Sequence, residues 1–166
     1  MRIGINGYGQ LVNADLGVLT SDLAQWEADG ASSYWLAQTG GIDALTVFAA
    51  HGNSGSPAEL GTAVIPTWVV HPSVLAGQAM TTQAAVGERL ILGIGLAHEP
   101  SVTERWRMTW ERPVRQMLDY LDILQPLLAG ESVRHDGHFW SYAGDLAGPA
   151  KTAPKVMIVS APSASA

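Results

Sequence analysis

The chain has 166 residues, the size of one domain, and 47% of them are hydrophobic against 14% charged. Apolar residues recur from end to end, so the chain can bury a core and is not a disordered segment. A net charge of −6 has the wrong sign for a nucleic-acid partner, and the absence of cysteine excludes a disulfide framework, a thiolate nucleophile and a zinc ribbon. Before Arg89 the sole base is Arg2, against seven acids; from Arg89 onward eight bases face eight acids, so an anion is expected toward the second half. Arg2 is followed by Gly4, Asn6, Gly7 and Gly9 where a signal peptide would be apolar, and no run reaches the ~18 apolar residues of a membrane helix. The expectation is one cytoplasmic domain over residues 1–166, with no membrane partner.

In chain order, short apolar runs bounded by Gly, Pro or Asn predict strands at Arg2 to Asn6, Ser33 to Ala37, Leu60 to Ile65, Arg89 to Leu96 and Lys155 to Ser160. They are apolar on successive residues, as in Ile91-Leu92-Gly93-Ile94, which is how a strand covered on both faces reads. After the first, Leu19, Leu23 and Trp26 share a helical stripe, with Ser21 or Asp22 suited to cap it and Gly30 to stop it. After the third, Pro72 fits a first helical turn, Leu75, Ala79 and Met80 share a face, and Gly87 fits a left-handed stop. His71 reads as the cap of that helix.

After the fourth strand, Ser101-x-x-Glu104 reads as a capping box opening a helix that carries Trp106 and Trp110. A longer helix follows Pro113, with Val114, Met117, Leu118, Leu121, Leu124 and Leu128 at threes and fours, and Pro126 is expected to bend its last turn. Val133 to Tyr142 then places Asp136-Gly137 as the turn of a small hairpin. The first four strand starts lie roughly thirty residues apart, the length of a βα unit, so the predicted class is α/β: a partial (β/α)8 barrel of about five parallel strands with a hairpin excursion. The small-residue tail after Val159 has no apolar helix to cover the last strand. That leaves a fragment of a barrel, a complete small doubly wound sheet, or a sheet completed by a partner.

Glu27 to Gln38 and Gly41 to Thr46 resemble the second strand and helix of the bacterial luciferase-like monooxygenase family. Leu60-Gly-Thr-Ala-Val-Ile-Pro-Thr67 with His71-Pro72, Gly87 to His98, and Arg112-Pro113 through Gly130 resemble later parts in the right order, particularly of the branch using the deazaflavin coenzyme F420. The resemblance covers Met1 to about Val159. It implies a barrel that seats a flavin or deazaflavin ring at the carboxyl ends of its strands, where loops are free to vary. It also implies a non-proline cis peptide just past Gly61-Thr62, at Ala63-Val64, backing the middle of the ring.

The ring-side candidates are then Asn6, Gln38, Thr62, Ala63, Val64, Gly95 and Leu96. Gln38 can hydrogen-bond the polar edge of the ring or be a solvated amide; Gly95 can let the backbone approach the ring or serve strand packing. His98 is the candidate catalytic residue, since histidine is the side chain that exchanges protons near neutrality; Glu99 beside it is a weaker one. Arg105, Arg107, Arg112 and Arg115 can meet the phosphate and glutamate tail of F420, or form a solvated face balanced by Glu104, Glu111, Asp119 and Asp122, and the second reading is the simpler. His135 and His138 with Asp136 on a hairpin tip make a poor metal site, so none is expected.

The expected reaction is hydride transfer between F420 and a small organic substrate, with FMN-dependent monooxygenation as the alternative. Phosphate recognition in the family lies in units past the fifth strand, so this chain by itself is expected to bind cofactor weakly. A non-catalytic half-barrel that persists as a homodimer, or with a complementing barrel half, is a reading of another class. Gly4-Ile-Asn-Gly-Tyr-Gly9 offers a Rossmann alternative, yet Val12 stands where a small residue is needed and Gln38 where an acid should hold a ribose. No Gly-x-Ser-x-Gly elbow supports a serine hydrolase.

Overall fold

A computed structural model of the chain describes residues 2–7, 15–38 and 41–159. The apolar runs are strands: β1 (Gly4–Asn6), β2 (Ser33–Leu36), β3 (Glu59–Thr62), β4 (Ile65–Pro66), β5 (Leu90–Gly95) and, after a hairpin of β6 (Val133–Asp136) and β7 (Ser141–Gly144), β8 (Lys155–Ile158). β1 pairs with β2, β2 with β3, β3 and β4 with β5, and β5 with β8, all parallel. With β3 and β4 both against β5, and the hairpin set apart, the order β1, β2, β3, β5, β8 runs in one direction along the chain, which is barrel winding; a dinucleotide-binding sheet reverses its order after the first strands. The Rossmann alternative therefore does not fit, although Gly9, which carried it, and Val12, which counted against it, lie outside the described residues, as does the tail from Ser160.

Helices α1 (Leu16–Ala28), α2 (Ala44–His51), α3 (Pro72–Ala85) and α4 (Pro113–Leu128) lie between the strands in sequence and pack side by side on one face of the sheet. Side chains alternate along a strand. Tyr34, Leu36, Leu60, Leu90, Leu92 and Ile94 therefore meet Leu19, Leu23, Phe48, Leu75, Tyr120, Ile123 and Leu124 in one core. Ser33, Trp35, Glu59, Gly61, Ile91 and Gly93 take the opposite, inner face. On β8, Val156 packs against this core, while Met157, Ile158 and Val159 are 41%, 52% and 42% exposed. No helix among the described residues is long and apolar enough to cross a membrane.

Three expectations are corrected here. The first helix begins at Leu16, not near Ser21 or Asp22, because the Asp15 carboxylate accepts from the Val18 amide and supplies a cap nearly two turns earlier. The capping box does not form: Ser101–Arg105 is a single five-residue π-helix, and the chain after it is irregular, with positive φ at Arg107 and Arg112. Its two tryptophans have separate destinations, Trp106 in a cavity wall and Trp110 against Trp68 at 5.4 Å, which one continuous helix would not serve. The hairpin turn spans residues 137–140 rather than the pair Asp136-Gly137, since the Phe139 amide donates to Asp119 on α4 and Trp140 packs edge-on against Tyr120 and His71.

The predicted apolar stripes hold at Leu19, Leu23, Met117, Leu124 and Leu128. They do not hold at Trp26, Val114 and Leu118, which are 37%, 71% and 50% exposed; α4 buries Gln116, Tyr120, Ile123 and Leu127 instead. The other helix-end signals hold. Pro72 and Pro113 open α3 and α4, Gly30 and Gly87 have φ of +83° and +69° past the ends of α1 and α3, and His71 accepts from the Ser73 amide as the α3 cap. Pro126 lies inside α4, which continues to Leu128.

Candidate active site at the carboxyl ends of the strands

The predicted third strand is interrupted, and the interruption shapes the site. β3 aligns Leu60 with Leu90, while β4 aligns Ile65 with Ile94, so between these pairs the first chain has one more residue than β5. That is a bulge, and it falls on Ala63-Val64, whose peptide bond is cis. The bulge is tied to β2: the Ala63 amide donates to Leu36 O at 2.9 Å and the Gln38 amide to Val64 O at 3.4 Å. Behind it the buried Thr62 hydroxyl donates to Gly93 O at 2.7 Å and accepts from the Gly93 amide at 2.8 Å. Gly93 has to lack a side chain, because a Cβ there would lie 1.8 Å from Thr62 O.

A cavity of about 450 Å³ opens over this bulge, within the usual range for small-molecule sites. Ala37 and Gln38 after β2, Ala63, Val64, Pro66 and Val69 around β4, and Ala97, His98, Ser101, Arg105 and Trp106 after β5 line it. Ala97 takes φ of +62° in the turn that carries His98 to the rim, and the His98 carbonyl accepts from the Ser101 and Val102 amides. Gln38 Oε1 is buried without a hydrogen-bond donor. A buried acceptor left unpaired is costly, so the site fits a ligand edge that supplies an N–H.

Of the sequence candidates, Gln38, Ala63, Val64 and His98 thus meet in one cavity. Thr62, Gly95 and Leu96 stand behind it: Thr62 spends its hydroxyl on β5, Leu96 packs on the core, and a Cβ on Gly95 would lie 2.7 Å from Val64 Cγ2 and 2.9 Å from Val159 O. Gly95 therefore serves close packing. Asn6, at the end of β1, is exposed and outside the cavity lining. Sequence reasoning missed Ser101 and Trp106, because their segment reads as a capped helix, and set Arg105 among solvated arginines. Arg115 is such a residue, 2.7 Å from Asp119 Oδ1 on its own helix.

Asp119 itself is fully buried. Burial alone would raise its carboxyl, but the Phe139 amide, the Arg115 guanidinium and the His138 amide outweigh it and hold the group below its ordinary value. His135 Nε2 lies 3.6 Å from the same carboxylate, and the ligand atoms of Asp119, Asp122 and His135 fall within 4.8 Å of one another. With Arg115 already against Asp119, the cluster reads as the anchor of the hairpin on α4. A second hollow, of about 490 Å³, lies at the amino end of β8 among residues 145–153, Met80 of α3 and the end of α4, away from the carboxyl ends of the strands.

The family model described as luciferase-like monooxygenase matches residues 16–163. The chain belongs to this family. It is 33% identical over 111 residues to a putative coenzyme F420-dependent oxidoreductase of Mycobacterium tuberculosis, covering 66% of this chain and 32% of the relative. It is 31% identical over 86 residues to a 5,10-methylenetetrahydromethanopterin reductase of Archaeoglobus fulgidus, covering 52% of this chain and 26% of that one. Its fold superposes on the oxygenating constituent of 3,6-diketocamphane monooxygenase from Pseudomonas putida, solved with FMN, with a TM-score of 0.80 at 16% identity over 95% of this chain and 51% of the other. The luciferase-like chain thus spans a quarter to a third of those curated relatives and about half of the solved structure, and its fold corresponds to that half of a luciferase-like barrel.

Proposed function

We propose that the cavity over the bulge is the ring seat of a flavin-type cofactor, and that the catalytic unit to which this chain contributes transfers a hydride between F420 and a small organic substrate. One observation carries the reading: the Ala63-Val64 bulge, the unpartnered buried Gln38 Oε1 and His98 meet in a single cavity at the strand ends. The F420-dependent description of one relative supports the choice of ring.

When bound, the ring supplies the hydride chemistry. The protein supplies position. The bulge, fixed from β2 and from Thr62, holds one face; Gln38 accepts a hydrogen bond from the polar edge and sets the ring's rotation; His98 at the rim exchanges a proton with a substrate heteroatom at a ring nitrogen. FMN-dependent monooxygenation is the second reading, favoured by the description of the family model itself. The exposed apolar side chains of Met157, Ile158 and Val159 at β8 favour completion by a second copy or a complementing barrel half.

Fluorescence titration tests the seat. F420 and FMN are expected to bind this chain saturably with Kd weaker than about 1 µM, with NAD showing no saturation and Gln38→Leu weakening both rings roughly tenfold. Saturable binding of NAD in their place, or ring binding indifferent to Gln38→Leu, would overturn the assignment.

A further inference from the structure

One wall of the cavity differs from the others. The parts before residue 70 contribute Ala37, Gln38, Ala63, Val64, Pro66 and Val69, none of them charged. The wall after β5 contributes Arg105, the one permanently charged side chain in the lining. The π-helix produces this arrangement. The Trp106 amide donates to Ser101 O at 3.1 Å, an i to i+5 bond, and Ser101, Arg105 and Trp106 all line the same cavity. Single π-turns of this kind are frequent at functional sites.

We propose that this wall receives the substrate, and that the substrate is a small organic anion: a carboxylate on an apolar, planar body. A guanidinium presents parallel N–H donors that match a carboxylate, and a serine hydroxyl adds one more. Arg105 also has a partner within the chain, but five N–H donors leave room for a ligand beside it. Trp106, Val69 and Pro66 supply apolar surface for the body of the molecule. The chain as a whole carries −6, so a local cation is what would draw an anion to this rim. The proposal rests on the cofactor reading for what the substrate meets, and on the cavity wall alone for its charge. A cofactor phosphate shares this chemistry, and the test separates the two sources.

Isothermal titration of the full chain with benzoate and with benzamide, a neutral molecule of nearly the same shape, reads the charge preference directly. Benzoate is expected to bind at least about fivefold more tightly. Arg105→Gln abolishes that preference while leaving benzamide binding unchanged, and Trp106→Ala weakens both ligands; circular dichroism verifies that each variant folds. A preference that survives Arg105→Gln, or no preference in the parent chain, overturns the proposal. So does an Arg105→Gln variant that loses FMN but not riboflavin while keeping its benzoate preference, since the guanidinium then belongs to the cofactor phosphate. If neither F420 nor FMN binds while the benzoate preference depends on Arg105, the cofactor reading fails and the anion site stands.

Discussion

Thr62 and Gly93 settle their mutual contact with two short hydrogen bonds and an absent side chain, and the position of the cavity floor depends on it. Alanine at Gly93 would place carbon against a main-chain carbonyl that has nowhere to retreat. Gly93→Ala is therefore expected to cost about 3 kcal/mol or more, read as a lowered urea midpoint. Gly77 is the contrast: it lies in α3, and a Cβ there meets nothing within 4 Å. Gly77→Ala is expected to stabilise by about 0.5 to 1 kcal/mol in the same experiment. At this scale the sequence was partly legible. Gln38 and His98 could be placed because strand ends are marked by the apolar runs before them. Gly95 could not be decided, since whether a glycine faces a ligand or a neighbouring Val64 depends on a bulge that residue types do not announce.

Elements are held together at the amino ends of the strands by one buried carboxylate. Glu27 at the end of α1 accepts from Arg89 Nη1 at 2.5 Å and Ser54 Oγ at 2.6 Å and lies 3.0 Å from His51 Nε2, so it joins α1, the end of α2 and the start of β5. Burial would raise its carboxyl, but Ser54, Arg89 and His51 outweigh that and hold it below 4.5. A depressed folded value means the stabilisation is complete above the unfolded value of about 4.5 and is lost as pH falls through the folded one. Glu27→Gln should lower stability at neutral pH by about 3 kcal/mol, because Arg89 stays buried without its counterion. It should also flatten the fall of Tm below about pH 4.5; an unchanged acid limb would show that other carboxylates govern it. None of this network was read from the sequence, where its members lie far apart. The π-helix was misread for a related reason: Ser101-x-x-Glu104 is locally a good helix start, while Trp106 at the cavity and Trp110 against Trp68 take places that the local sequence does not announce.

The whole molecule is a parallel sheet covered by helices on one face; on the other, Ser33, Gly61, Ile91 and Gly93 are buried, and exposed apolar surface is concentrated on β8. Its winding was legible because roughly thirty-residue spacing of buried-strand patterns leaves few topologies, and sequential pairing of β1, β2, β3 and β5 follows from it. The hairpin loop was less so, since Phe139 and Trp140 are positioned by Asp119, Tyr120 and Trp68, which are remote in sequence. The inner face carries Met157 and Val159 half exposed beside the Glu59 carboxylate, which holds Arg2 and Lys155 at 2.7 and 3.0 Å. Such exposed ion pairs contribute little, so the apolar strand dominates the behaviour of this surface. Sedimentation is expected to show species heavier than the 17.5 kDa chain at about tens of micromolar, and Met157→Glu should shift them toward monomer. A well-behaved monomer across that range would count against association through this face. The outer rim of β8 has one further consequence. Its main-chain groups point outward at a fixed pitch, so any polypeptide that comes to rest there receives its direction and phase from the template already in place. A second arc would inherit its curvature from the first and would not need to specify it again.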